Sequence, residues 1–179
     1  MKVVKRHCDP QKNKVVYFIF ENVQAKNGPK QKHNYIIIIK QTKIMRTELN
    51  IKIIDALYNA FSTGDMPTVL GLMHPEIEWN EAESNSLADG NPYVGPDSIL
   101  EGVFARLGAN HEYFGLQDVK VHGMNDNMVL ATLRYDAKVK ATGKSYSAQA
   151  AHLWSLNDEG KITVFQQFVD TKKLADSEK

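Results

Sequence analysis

The chain has 179 residues, of which 42% are hydrophobic, and its formal net charge is +1. This length supports one domain with a substantial core and leaves too little room for two full domains. The near-neutral total hides an asymmetry, because residues 1–44 carry a net charge of +8 and the rest of the chain carries −7.

The basic segment, residues 1–44, lacks the pattern of a folded unit. Its basic stretches alternate with two short apolar runs, residues 15–20 and 35–39, that have no helical period. Both runs are shorter than the roughly 20 residues that a bilayer span requires. The first run also comes too late for a signal peptide, and no small-residue cleavage site follows it. We therefore expect a disordered leader, or a stretch upstream of the native start at Met45. The alternative is a basic arm that holds phosphate groups or an anionic membrane surface.

Three helices are predicted after this segment. Apolar residues at three- and four-residue spacing predict an amphipathic helix over residues 48–61. Asp65 is placed to cap a second, short helix that stops at Pro75. A third helix is expected over residues 96–108, between two glycines.

Five strands are predicted from alternation of apolar and polar residues. They cover residues 77–81, 117–121, 128–140, 145–156 and 162–170. Helices that come first and strands that follow in a meander are typical of an α+β domain with helices on one face of an antiparallel sheet. We place this domain at residues 45–174 and expect residues 175–179 to be a frayed tail.

Several site types are excluded by their motifs. The chain has no glycine-rich phosphate loop, no nucleophile elbow, no His-Glu-x-x-His helix and no cysteine pair for zinc. His74, Glu76 and Glu78 alternate as metal ligands could, but a solvated strand face is the preferred interpretation. We therefore expect no metal and no cofactor. Cys8 is the single cysteine, which rules out an intrachain disulfide and favours a reducing cytoplasm.

The strand over residues 145–156 carries a polar residue on a face that should be buried. His152 and Trp154 share this face with Tyr146, and the two alanines between the large rings leave space for a pocket wall. His152 is a candidate acid, base or hydrogen-bond donor, because the reference pKa of histidine is about 6.5. The alternative is a core histidine bonded to a neighbour.

Two carboxylic acids are further candidates for catalysis. Glu81 shares a strand face with Trp79, where apolar surroundings would raise its pKa and suit it to proton transfer, unless the strand end emerges into solvent. Asp170 and Gln166 share a face of the last strand and are expected to converge on the same pocket. Asp170 could instead anchor the tail.

Five short motifs, in this order of elements, carry a resemblance to a known family. They are Tyr-Asn-Ala-Phe-Ser-Thr-Gly-Asp at 58–65, Glu-Trp at 78–79, Tyr-Val-Gly at 93–95, Ala-His-Leu-Trp at 151–154 and Gly-Lys-Ile-Thr-Val-Phe-Gln-Gln-Phe-Val-Asp at 160–170. Together they resemble the SnoaL-like branch of the nuclear transport factor 2-like (NTF2-like) superfamily, over residues 48–172.

The resemblance implies a cone-shaped barrel formed by a strongly bent antiparallel sheet packed on three N-terminal helices. It also implies a pocket between helices and sheet, and a homodimer formed through the sheet. The superfamily includes ketosteroid isomerases, polyketide cyclases, dehydratases and epoxide hydrolases, and also members that only bind ligands. Fold alone therefore leaves the activity open.

The functional residues of these families carry over only in part. In ketosteroid isomerase-like members the base is an aspartate near the end of the first strand, and that place falls on or beside Glu81. Their helix tyrosine has Leu57 at its expected place, one position before Tyr58. SnoaL-type cyclases pair a histidine with an aspartate across the last two strands. His152 matches the histidine, whereas Gln166 stands near the expected acid.

Two functional hypotheses follow from these residues. In the first, the protein is an isomerase, cyclase or hydrolase that acts on a small apolar carbonyl compound through proton transfer. Glu81, His152 and Asp170 are its catalytic candidates, and the expected ligand contacts are Tyr58, Trp79, Tyr135, Trp154 and Gln166. In the second hypothesis, the domain is a noncatalytic pocket protein or a dimeric interaction module. Neither hypothesis calls for a nucleic acid or a membrane as a partner.

Overall fold

A computed structural model describes the backbone from Pro29 onward and the side chains from residue 41 onward. The chain divides into two units, Met1–Ile38 and Ile39–Lys179, and everything below concerns the second unit except the first turns of helix α1. Most of the predicted leader lies outside the described residues, so its assignment stays a prediction. Within the described part of the chain, no helix is long and apolar enough to cross a membrane.

Helix α1 extends much further toward the N-terminus than its apolar stripe predicts. It spans Pro29–Thr63, but the first buried residue with a described side chain is Asn50, and Met45 and Leu49 are exposed. The apolar period therefore identifies the part of the helix that packs against the core. Helix α2 spans Met66–Gly71 and is capped, as predicted, by the Asp65 carboxylate, which accepts a hydrogen bond from Thr68 N.

The third predicted helix is present but is irregular in its middle. It consists of α3 (Pro96–Ile99), a π-helical turn (Leu100–Phe104) and α4 (Ala105–Asn110). Turns of this kind occur mostly as single interruptions within α-helices, and often at functional sites.

Six strands form one curled sheet that does not close. The strands are β1 (Met73–Asn80), β2 (Tyr93–Val94), β3 (His111–Gly123), β4 (Met128–Val139), β5 (Ser145–Leu156) and β6 (Ile162–Val169), in the spatial order β2-β1-β6-β5-β4-β3. The predicted α+β class is confirmed, but the sheet is mixed rather than antiparallel, because β1 pairs with β6 in parallel. These two strands lie at opposite ends of the domain sequence, so a crossover rather than a hairpin joins them.

The core lies between the inner face of the sheet and the helices. Its largest fully buried side chains are Trp154, Phe165, Ile54, Ile77, Ile99, Ile162, Val69, Val103 and Val129. Along β4 every second residue from Val129 to Val139 is buried, as the alternation predicts. The C-terminal segment, predicted to fray, forms helix α5 (Thr171–Ser177), whose Leu174 is buried.

Beyond Thr163, the inner face of β6 is the opposite of the predicted one. Ser155 pairs with Val164 and Leu156 pairs with Ile162, so Thr163 is an extra residue on β6. A one-residue bulge reverses the side-chain alternation beyond it. Phe165 and Gln167 are therefore buried with Ile162.

Because of the bulge, the positions of Gln166 and Asp170 differ from the predicted ones. Both lie on the outer side together with Phe168, which is 53% exposed. The expectation that they converge on the interior is wrong, because the bulge adds a residue that alternation alone does not reveal.

Gly102, in the π-helical turn, permits close packing of Tyr93. The hydroxyl of this tyrosine contacts the loop between β1 and β2. A Cβ atom at Gly102 would collide with Tyr93 Cε1 and lie 2.7 Å from its Cδ1. The ring has little freedom to move, because its hydroxyl is hydrogen bonded to the Leu87 carbonyl oxygen (2.8 Å) and to Asp89 Oδ1 (2.9 Å).

We expect Gly102→Ala to lower the free energy of unfolding by about 1–3 kcal/mol, because overpacking outweighs the higher helix propensity of alanine. Gly108→Ala is the matched control, since it also lies in this helical segment but has no atom within 4 Å of the added Cβ. Urea denaturation of both variants measures the difference. Equal stability of the two variants would contradict this packing.

Candidate functional site

A small cavity lies between α1, the helical segment of residues 96–110 and the inner face of the sheet. Its volume is about 70 Å³, several times the roughly 10–15 Å³ that one water needs. The residues lining it include Tyr58, Phe61, Trp79, Glu81, Asn85, Phe104, Phe114, Tyr135, His152, Trp154, Phe165 and Gln167. The wall is therefore mostly apolar, with many aromatic rings and several polar groups, as in many ligand sites.

Strand register brings the polar groups of the cavity together. His152 on β5 is the direct partner of Gln167 on β6, and directly opposed residues of an antiparallel pair lie on the same face. Trp79 on β1 pairs with Phe165 on β6, and their rings stack with centroids 3.7 Å apart. Tyr135 reaches the same face from β4.

His152 is held between two tyrosines. Its Nδ1 lies 2.9 Å from the Tyr58 hydroxyl and its Nε2 lies 2.6 Å from the Tyr135 hydroxyl. Each hydroxyl also accepts one N–H hydrogen bond, from Trp154 Nε1 to Tyr58 (3.0 Å) and from Gln167 Nε2 to Tyr135 (3.0 Å). The imidazole therefore has both ring nitrogens engaged.

Glu81 lies just beyond the end of β1, with only 3% of its surface exposed. Its Oε1 accepts a hydrogen bond from Trp79 Nε1 at 2.7 Å, and its Oε2 accepts one from Asn85 Nδ2 at 2.8 Å. The side chain of Asn91 holds the backbone of Glu81 on both sides, since it accepts from the amide nitrogen and donates to the carbonyl oxygen. The carboxylate is therefore fixed in position at the cavity wall.

Two amides connect Glu81 to the tyrosines. Asn85 Nδ2 donates to Gln167 Oε1 at 2.9 Å, and Ala82 N donates to the same oxygen at 3.1 Å. Leu87 N donates to Asn85 Oδ1. Because backbone N–H groups only donate, these contacts fix the orientation of both amides. A continuous hydrogen-bonded chain therefore runs from Trp79 through Glu81, Asn85, Gln167, Tyr135, His152 and Tyr58 to Trp154.

Burial shifts the titration of Glu81 and of His152 in opposite directions. Loss of solvation raises the pKa of Glu81 to about 7, although the hydrogen bond from Trp79 opposes the shift. Loss of solvation lowers the pKa of His152 to about 3. Burial also raises the pKa of the Tyr58 and Tyr135 hydroxyls above the ordinary tyrosine range. Near neutral pH, His152 is therefore uncharged and Glu81 exists in both protonation states.

The structure brings together most of the residues predicted for the site. Tyr58, Trp79, Glu81, Tyr135, His152 and Trp154 line the cavity. Asp170 is exposed and caps α5 by accepting a hydrogen bond from Lys173 N, which matches the alternative that it anchors the tail. Gln166 faces away, and Gln167 takes its place.

Three polar residues that build the site were not predicted from the sequence. Gln167 was predicted to face outward, because the sequence does not reveal the bulge in β6. Asn85 and Asn91 lie in an irregular loop, where no period indicates which side chains turn inward. The signal that could have found them is chemical: a carboxylate expected to be buried needs donors, and asparagines in the loop after it can supply them.

The described residues contain no group of three or more His, Cys, Asp or Glu side chains that could hold a metal ion. His74, considered above as a ligand, accepts a hydrogen bond at Nδ1 from Glu76 N.

Comparison with known proteins agrees with this architecture. Residues 54–165, more than half of the chain, match the SnoaL-like domain. An NTF2-like protein from Burkholderia thailandensis is 30% identical, with a TM-score of 0.65 over 73% of this chain and 97% of that one. No protein with a curated description matches the sequence.

Two structures of lower identity share the fold. TerC, crystallised with polyporic acid, is 23% identical over 72% of this chain and 97% of its own, with a TM-score of 0.63. A candidate polyketide cyclase from Xanthomonas campestris is 15% identical over 75% of this chain and 99% of its own, with a TM-score of 0.65.

Glu81 makes a distinctive contribution to the pH dependence of stability. Its pKa rises from 4.5 to about 7 on folding, so the folded chain binds the proton more tightly than the unfolded chain does. The stabilisation is fully present below pH 4.5 and is lost as the pH rises through 7. Relative to the wild type, we expect Glu81→Gln to gain about 3 kcal/mol of unfolding free energy between pH 4.5 and about pH 8.

Denaturation at several pH values measures this difference between the two proteins. His152 changes stability in the opposite sense, because its lowered pKa adds stability as the pH rises from about 3 to 6.5, but it is present in both proteins and cancels. Glu83→Gln, an exposed neighbour in the same loop, is the control and should show a flat difference. A flat profile for Glu81→Gln would show that Glu81 titrates normally.

Proposed function

Because the chain belongs to the SnoaL-like family of the NTF2-like superfamily, we propose that its cavity binds a small, largely apolar carbonyl compound and moves a proton on it. Glu81 is the base in this proposal. TerC, which shares the fold, was crystallised with polyporic acid, which supports a small-molecule ligand for this chain as well.

The proposal rests on the position of Glu81 at the cavity wall and on the raised pKa of its carboxyl group. Its carboxyl group lines the cavity and its pKa is about 7. A general base works best when its pKa is close to the working pH, because it is then ionised often enough and still basic enough. Such tuned carboxyl groups concentrate at functional sites. An ion-paired surface glutamate would have neither property.

The tyrosine hydroxyls supply the complementary group. In the proposed step, the substrate C–H bond next to the carbonyl breaks, its proton passes to the Glu81 carboxylate and the electron pair moves to the carbonyl oxygen. A hydroxyl of Tyr58 or Tyr135 donates a hydrogen bond to this oxygen as its charge develops. Return of the proton to a different carbon completes an isomerisation. This chemistry needs no organic cofactor.

The residue opposite His152 favours isomerisation over cyclisation. In SnoaL-type cyclases, as the resemblance implies, an aspartate faces the histidine. Here the strand partner of His152 is Gln167, an amide that cannot take up a proton at neutral pH. His152 itself is neutral and bonded at both nitrogens, so it supports the tyrosines, and the proton transfer falls to Glu81.

One feature favours a second candidate function, a noncatalytic pocket protein. Both oxygens of Glu81 already accept hydrogen bonds from Trp79 and Asn85, which lowers the basicity of the carboxylate. A ligand could then be bound without being changed.

We also propose that the outer face of the sheet pairs with a second copy of the chain, as the family resemblance implies. Phe168 supports this, because it is a large apolar side chain on the outer face of β6, an interior strand of the sheet, and is 53% exposed.

Hydrogen exchange at carbon tests the proposed base without knowledge of the natural substrate. The probe is 2-tetralone, whose C1 hydrogens lie next to both the carbonyl and the aromatic ring. In D₂O we expect the wild type to accelerate deuterium incorporation at C1, followed by NMR, with a rate that rises with pH through about 7. Glu81→Gln should lose about 10²–10⁴-fold of this rate.

Glu83→Gln is the matched control and should exchange like the wild type. Saturable binding of 2-tetralone without any acceleration over Glu81→Gln would reject the base and favour the noncatalytic function.

The proposed dimer is tested by sedimentation. We expect the wild type to sediment as a dimer and Phe168→Arg to shift to the monomer, since a buried unpaired charge at an interface costs several kcal/mol. Val94→Arg alters an equally exposed apolar residue on the edge strand β2 and should leave the dimer intact. A wild-type monomer would contradict the proposal.

A further inference from the structure

We infer that Tyr58, His152 and Tyr135 together hold one more hydroxyl hydrogen than they have acceptors for, so that the cavity selects ligands carrying a hydrogen-bond acceptor. We infer further that the tautomer of His152 decides which of the two tyrosines donates to the ligand. His152 is in this sense a positioning residue.

Each of the two tyrosine hydroxyls has a neighbour that only donates to it. Trp154 Nε1 is only a donor, so Tyr58 must accept that bond. Gln167 presents its NH₂ group to Tyr135, because its oxygen is already oriented by the backbone N–H of Ala82. Neither neighbour can therefore take a hydrogen from a tyrosine.

The hydrogens among the three central residues outnumber their contacts. His152 is neutral, because burial lowers its pKa to about 3, and so it carries one ring hydrogen. With one hydrogen on each hydroxyl, three hydrogens share two contacts, Tyr58 to Nδ1 and Nε2 to Tyr135. Each contact uses one hydrogen. One hydroxyl hydrogen is left over.

The tautomer of His152 determines where this hydrogen lies. If Nε2 carries the ring hydrogen, it donates to Tyr135, Tyr58 donates to Nδ1, and the hydroxyl hydrogen of Tyr135 is left. If Nδ1 carries it, the roles exchange and the hydrogen of Tyr58 is left. No third acceptor for either hydroxyl occurs among the residues that the structure describes.

Both hydroxyls belong to residues that line the cavity, so the remaining hydrogen is available to a ligand. A buried donor without an acceptor costs about 1–3 kcal/mol. A dry hydrocarbon ligand would impose this cost, and a ketone, ester or enolate oxygen would remove it. The ligand class is therefore an apolar molecule with one acceptor oxygen.

This inference rests on the proposed function only in taking the cavity as the ligand site, and it does not require turnover. Acetophenone and α-methylstyrene are suitable probes, because they have nearly the same shape but only the ketone has an acceptor, and their affinities are compared after the free energy of transfer of each probe from water to hydrocarbon is subtracted. We expect the wild type to bind acceptorless α-methylstyrene about tenfold more weakly, as expected for one unsatisfied donor. Fluorescence of the cavity tryptophans reports binding.

The tautomer is read from the ¹⁵N chemical shifts of the His152 ring with acetophenone bound. In Tyr135→Phe, Tyr58 must donate to the ketone, so Nδ1 should carry the hydrogen. In Tyr58→Phe, Tyr135 must donate, so Nε2 should carry it. These two assignments are the expected result, and a merely structural histidine, which accepts from whichever tyrosine remains, would show the reverse pair.

Three results would overturn the inference. They are equal affinity of the two probes, no saturable binding of acetophenone, and any other pair of His152 tautomers in the two tyrosine variants. The probe comparison needs only the wild type, so it decides the question even if a variant does not fold. Loss of deuterium exchange with the affinity difference intact would reject the proposed base alone. Accelerated deuterium exchange without a difference in affinity between acetophenone and α-methylstyrene would reject this inference alone.

Discussion

The structure depends on one constraint, that polar atoms taken out of water must find partners inside the protein. A carboxyl group, an imidazole and two phenols lie at the inner face of the sheet, where each would be costly alone. The hydrogen-bonded chain from Trp79 to Trp154 gives each of them at least one partner and leaves over one hydroxyl hydrogen of the two tyrosines. Among the described residues, no buried side-chain nitrogen or oxygen lacks a hydrogen-bond partner. The two tryptophans at the ends of this series of hydrogen bonds have two roles. Their rings fill the core, and their N–H groups donate hydrogen bonds to Glu81 and Tyr58.

The same burial sets the electrostatic character of the cavity. Desolvation favours the uncharged form of every ionisable group, which raises the pKa of Glu81 and lowers that of His152. The two shifts do not add a charge pair to the site; they remove charge from it. The part of the cavity between Glu81 and His152 is therefore close to neutral except for the titration of Glu81, and it suits an uncharged ligand group. A proton taken up by Glu81 leaves the carboxyl group in the form that its surroundings prefer.

The sequence was most informative where one rule governed a whole element. Strict alternation located β4 and β5 almost to the residue and placed His152 and Trp154 inside, because both strands pair regularly along their length. Alternation gave the wrong inner face for β6, because one extra residue reverses the faces of this strand. Since Gln166 and Gln167 are adjacent and identical, the residue types gave no sign of the reversal. Helix α1 was predicted only over its packed part, since exposed turns need no apolar period. Asn85 and Asn91 were out of reach, because a loop obeys no period at all.

The hydrogen-bonded site depends on the bulge at Thr163. Unbroken alternation after Ile162 would turn Gln166 and Phe168 inward and would send Phe165 and Gln167 to the outer face. The stack of Phe165 on Trp79 would be lost, and so would the amide that joins Asn85 to Tyr135. Glu81 and His152 would then lie in the same cavity without a connection between them. A backbone irregularity of one residue thus decides whether two buried titratable groups form one site, and composition or motif alone does not reveal it.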